Sequence, residues 1–193
     1  MELPVYDLKI NDKENDDAEV SFIALVDAPA IKRDFIAFSD AVKFEVVNED
    51  EHIITGPLMI PEQLIYRASE KFGEHYVKFS TSTIKSISIK FAKKGYQKNV
   101  NLMHDSDMQT DGLTMFESFI SNAKRGIKPM DAFKDLPDGT WFGSFYVENP
   151  EVWKLIKSGQ VKGFSVEGLF DYEKPMTKDE QVLHQLKEIL NSF

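Results

Sequence analysis

No cysteine occurs in the 193 residues. Disulfides, thiolate zinc sites and a cysteine nucleophile are therefore excluded. Basic residues are in deficit: 23 Lys and Arg stand against 32 Asp and Glu, a formal net charge of -9. A surface of that sign does not neutralise phosphates, so nucleic acid is not an expected partner. No apolar run approaches the roughly 18 residues that span a bilayer, so neither is a membrane. The stretch "MELPVYDLKINDKENDD" lacks the basic-then-apolar pattern of a secretory leader. The expectation is a soluble intracellular protein. No glycine-rich loop precedes a helix as a phosphate cradle requires, and no repeat or low-complexity tract is present.

What is present suits one globular domain. Apolar residues make up 42% and phenylalanine alone contributes 15, enough for a sizeable core. "EVSFIALVD" (19–27), "VKFEVV" (42–47), "HIITGPLMIP" (52–61, interrupted at Gly56-Pro57), "EHYVKFS" (74–80), "NVNLMH" (99–104), "LTMFESFIS" (113–121), "GTWFGSFYVEN" (139–149) and "GFSVEGLFDYE" (163–173) read as strands. "TSTIKSISIKFAKKG" (81–95) fits either period. A serine cap, lysines at its end and Gly95 after it predict a helix. "NPEVWKLIKSG" (149–159) is a short helix with Asn149 as cap and Pro150 in its first turn. "TKDEQVLHQLKEILNSF" (177–193) is amphipathic, with Thr177 and Glu180 as a capping box.

The expected fold class is α+β: a small antiparallel β-barrel or curled sheet surrounded by helices, with a C-terminal amphipathic helix. The expected organisation is an N-terminal arm (1–18), a main domain (19–175) and the terminal helix (176–193).

Chemistry rests on few residues. Of four histidines, His184 lies beside the apolar stripe of the terminal helix and reads as solvated. His52 and His75 open strands beside acidic residues and read as structural. His104 ends the apolar "NVNLM" and begins the polar "HDSDMQTDG", a strand end of the kind on which scaffolds present working side chains. Asp105, Asp107 and Asp111 alternate loosely like a calcium loop, but the required Gly and distant Glu are misplaced. Ser165 stands in Gly-Phe-Ser-Val-Glu-Gly. The glycines fit a bulge or a close backbone approach first, and room for a nucleophile second. The segment is not the Gly-x-Ser-x-Gly elbow, because its second glycine comes one residue late.

The ordered pieces "VSFIALVDAPAI", "ITGPLMIPEQLIYR", "YVKFSTSTI", "NLMHD", "MFESFI" and "GTWFGSFYVENPEVWKLIKSGQVKGFSVEG" resemble the XkdF-like phage proteins, relatives of the prohead proteases of tailed phages. The likeness runs from about residue 19 to residue 173. It implies a serine endopeptidase with a fold like the herpesvirus assemblin proteases, without a cofactor. Ser165 matches the nucleophile and His104 the general base. Glu117, in the strand after the histidine, matches the third member, with Glu167 as runner-up. Gly163, Phe164, Val166 and Gly168 flank the nucleophile as the substrate and oxyanion region. Family substrates are the scaffold and the major capsid protein, cut inside the procapsid in the host cytoplasm. Self-association through the terminal helix is a further expectation. The alternative is a catalytically inactive capsid-assembly or scaffold-associated structural protein.

Overall fold

The structure, a computed structural model, describes residues 3–10, 18–27, 42–109 and 111–174. Within them twelve strands form three four-stranded sheets. The first has the order β12 (Asp171–Glu173), β1 (Val5–Lys9), β6 (Gly73–Lys78), β5 (Ile65–Ser69). The second runs β3 (Glu45–Asn48), β4 (Ile53–Met59), β10 (Trp141–Val147), β9 (Leu113–Ile120). The third runs β11 (Gly163–Leu169), β2 (Glu19–Val26), β7 (Val100–Leu102), β8 (Asp105–Gln109). Two α-helices accompany them, α1 (Thr81–Lys94) and α2 (Pro150–Lys157).

This corrects the expected helix-surrounded α+β barrel. Among the described residues the chain is mostly β, and no sheet closes into a barrel. The two α-helices among the described residues are too few to wrap three sheets, and closure would require edge strands such as β3 and β9 to pair with one another, which they do not. The first and third sheets are also mixed: β1 pairs with β6, and β2 with β7, in parallel. Parallel neighbours are joined by long crossovers, which local alternation does not reveal. The expected terminal helix, 177–193, lies outside the described residues.

Local chemistry accounts for the helices. The Ser80 hydroxyl accepts the amide of Thr83 at the start of α1, and Gly95 ends it at φ 73°, where a side chain would be strained. Ile84, Ile87 and Phe91 form the buried stripe, with Phe91 set edge-on against Trp141. Asn149 caps α2 by accepting from the amides of Glu151 and Val152. Strand β4 runs unbroken through Gly56-Pro57. Its neighbour β3 pairs only as far as Thr55, so the N–H that proline lacks is not called on there.

The core draws on all three sheets and both helices, with Leu8, Ile65 and Val77 of the first sheet in the same cluster as residues of the second and third. Phe164 of β11 packs on Phe145 of β10 (centroids 4.8 Å apart) and on Phe44 (5.3 Å). Ile23, Leu25, Val100 and Val166 join the same cluster. Each such side chain contributes about 1.5–3 kcal/mol on burial. This packing holds β11, β2 and β7 against a rigid backing and fixes what projects from their other face.

Candidate active site

Strand β11 alternates strictly. Phe164 and Val166 face the core, so Ser165 and Glu167 face the opposite side. In register across the third sheet, Ser165 pairs with Ala24 of β2, and Ala24 with Asn101 of β7. In-register residues share a face, so serine, alanine and asparagine form one row, with Glu167 two residues along from the serine. This second face is buried as well: Ser165 is 1% exposed, Asn101 1%, His104 5% and Glu167 8%.

His104 reaches the face from a tight turn. Leu102 pairs with Asp105, leaving Met103 and His104 as a two-residue hairpin connection between β7 and β8. Both residues have positive φ, 54° and 59°. Two successive left-handed residues are the signature of the primed turn whose twist suits a hairpin, and histidine is among the residues that tolerate it. The segment from Asp105 to Gln109, expected as a polar turn, is instead the returning strand.

The His104 ring meets a carboxylate. Its Nδ1 lies 2.9 Å from Oε1 of Glu167. A carboxylate only accepts, so Nδ1 carries the proton, which leaves Nε2 as the basic nitrogen. The same Oε1 accepts from Nδ2 of Asn101 at 2.7 Å. Glu167 and Asn101 stand on strands separated by β2, about 10 Å apart. They meet diagonally across β2, where Ala24 stands in register with Asn101 and Phe22 with Glu167. A carboxylate buried without partners would cost several kcal/mol, and two charge-assisted bonds offset that cost.

Of the other expected site residues, Glu117 stands on another sheet, while Gly163, Phe164, Val166 and Gly168 flank Ser165 on β11. Glu117 is exposed on β9, an edge of the second sheet, opposite Ser144. Its neighbour Phe116 is 51% exposed and shields nothing. The carboxylate against His104 is that of Glu167. Gly163 pairs with Val26 and bridges to Lys43. Phe164 and Val166 belong to the core. Gly168 sits at a register shift, where an added Cβ would come 2.0 Å from the Glu19 carbonyl oxygen. Its lack of a side chain lets β2 approach, a need of the fold in its own right. Sequence reasoning missed Asn101 and Ala24. The only available signal was an asparagine inside the apolar run "NVNLM".

Comparison with protein families adds one match. Residues 41–173 match the family described as "Putative phage serine protease XkdF". The chain belongs to this family. The matched span contains His104, Asn101, Ser165 and Glu167 and covers more than half of the 193 residues. Among curated proteins and solved structures none matches. Among the described residues no helix is long and apolar enough to cross a membrane.

Proposed function

We propose that the chain is a serine endopeptidase with Ser165 as nucleophile, His104 as general base, Glu167 as the carboxylate that orients the ring, and Asn101 as the residue that positions Glu167. One observation carries the reading: a histidine is locked through Nδ1 onto a buried carboxylate of the strand that bears the serine, two residues away on the same face. Membership of a phage serine-protease family supports the same chemistry.

Each residue then has a defined task. Serine is a weak nucleophile at neutral pH and needs a base beside it. Nε2 of His104 takes the Ser165 proton as the oxygen attacks the scissile carbonyl carbon. The resulting imidazolium is stabilised by Glu167. Collapse of the tetrahedral intermediate breaks the C–N bond, and the imidazolium returns its proton to the departing amine. Water, deprotonated by the same nitrogen, hydrolyses the acyl-serine. The substrates on this reading are the scaffold and the major capsid protein of the phage, cut within the procapsid in the host cytoplasm.

The burial of Ser165 bears on a second reading. At 1% exposure the hydroxyl meets no peptide until its cover moves. A catalytically silent assembly protein would keep such a face closed permanently, with His104, Glu167 and Asn101 as a buried polar layer in which Nε2 of His104 and Oδ1 of Asn101 have no hydrogen-bond partner. Co-expression with the capsid and scaffold proteins of the same phage, with Ser165 intact or as Ser165→Ala, separates the two by mass spectrometry. New fragments with the intact chain only support the peptidase. Identical masses in both support the assembly protein.

A further inference from the structure

Strand β9 ends the second sheet, and among the described residues no strand pairs with its outer edge. Phe116, Glu117 and Ser118 are exposed in succession there. Neighbouring residues of a strand point to opposite sides, so such a run marks a segment open from both faces. An edge strand presents unpaired backbone N–H and C=O groups. From Ser118 to Ser121 this edge borders a groove of about 830 Å³. Helix α1 lines the groove with Lys85, Ser88, Ile89 and Ala92, and the loop after β9 adds Arg125 and Ile127. The Ser118 hydroxyl is taken by Nε1 of Trp141 at 2.9 Å, so it is the strand's backbone that the groove offers.

The groove's charge is opposite to that of the chain, which carries a net -9. Lys85 and Arg125 stand in it against a single carboxylate, Asp138. Both oxygens of Asp138 accept from the amide of Ala123, at 3.1 and 3.0 Å, so this acid serves the loop. The charged residues of α1, Lys85, Lys90, Lys93 and Lys94, are all basic. Lys90 and Lys94 face Glu19. Neither Lys85 nor Arg125 has an ion-pair partner among the described residues. Ile89, 46% exposed, and Ile120 add apolar surface to the groove.

We propose that this groove docks an acidic peptide segment of a partner protein, extended and added to β9 as a further strand, with its carboxylates on Lys85 and Arg125 and its apolar side chains on Ile89 and Ile120. Main-chain bonds to the edge supply affinity, and the side chains select the sequence. Ser118 to Ser121 is about 13 Å of strand at roughly 3.3 Å per residue, which takes about four residues of the partner. A peptide fits better than a nucleic acid. Unpaired amides and carbonyls in alternation match another backbone, whereas a single strand of nucleic acid needs open rings to stack on, and Phe119 is already stacked on Phe142. The groove belongs to the second sheet and Ser165 to the third, so docking here holds a partner without occupying the serine's face.

Fluorescence anisotropy of the full chain tests this with a labelled hexapeptide of alternating glutamate and valine. The comparison probes are a hexapeptide of alternating lysine and valine, the glutamate peptide N-methylated at alternate residues, and oligothymidylate. The expected result is saturable binding of the glutamate peptide that weakens as salt rises, and none of the lysine peptide. N-methylation removes backbone donors and weakens binding about tenfold or more. Lys85→Glu and Arg125→Glu, both at exposed positions, each weaken it by a similar factor. Absence of binding overturns the proposal. So does equal binding of the two unmodified peptides, tighter binding of oligothymidylate, or a glutamate-peptide affinity that neither substitution changes.

Discussion

The Nδ1 atom of His104 and the Oε1 atom of Glu167 stand 2.9 Å apart although 63 residues separate them in the chain. The hairpin turn between β7 and β8 delivers the ring, and the outward face of β11 delivers the carboxylate. The contact chooses the tautomer of the imidazole and therefore which nitrogen can act as a base.

That choice distinguishes two carboxylates by experiment. Glu167→Gln keeps the side chain's shape and removes the charge that stabilises the imidazolium. Cleavage of the capsid and scaffold proteins should fall by about 10²–10⁴-fold, the range expected when a triad loses its acidic member. Glu117→Gln, on an exposed edge, should leave the rate unchanged. Rates from the co-expressed or mixed proteins decide, and equal loss in both variants would contradict the assignment.

Asn101 acts only through Glu167. Asn101→Leu removes one of the two bonds to the shared oxygen and leaves a buried carboxylate less satisfied, at a cost of about 1–3 kcal/mol in chemical denaturation. Asn101→Asp should cost more, because it sets two carboxylates side by side in a buried layer. If positioning is the role, Asn101→Leu also lowers the turnover rate more than it raises KM. A purely structural asparagine would change stability and leave turnover intact.

Ala24 stands in register with Asn101, beside the diagonal that the bridge follows. Ala24→Leu crowds it, pushes Glu167 away from Asn101 and overpacks the face, with a destabilisation of about 1–3 kcal/mol. Its effect and that of Asn101→Leu should be non-additive in a double-mutant cycle, since both break one bridge. Additive losses would show that the alanine serves packing alone.

Several of these features can be read from residues alone, and others need the sheet order. The α1 caps and the strict alternation in "GFSVEGL" are visible because capping and period 2 are local. The candidacy of Glu167 was visible too, as a same-face neighbour of Ser165. Its contact with His104 was not, since it requires β11 and β7 to flank β2, one antiparallel and one parallel. Glu117 lies between Phe116 and Phe119, yet on this edge strand Phe116 is exposed and Phe119 stacks on Phe142 of β10. Strand β5, "IYRAS", lacks apolar alternation because its inward face carries Arg67 and Ser69 toward a cavity that His75 also lines. His75 itself looked like an ordinary strand opening beside an acid. Its full burial comes from rings on β1 and β12 that lie far away in the chain.

The most direct test is covalent labelling of the serine. A fluorophosphonate reacts with an activated serine hydroxyl, and intact-mass and peptide mapping locate the adduct. The chain, with its capsid and scaffold proteins present to uncover the site, should carry one adduct on Ser165. The adduct should be absent in Ser165→Ala and His104→Ala and slowed in Glu167→Gln. Absence of any adduct on Ser165, or labelling that persists in His104→Ala, would contradict the account.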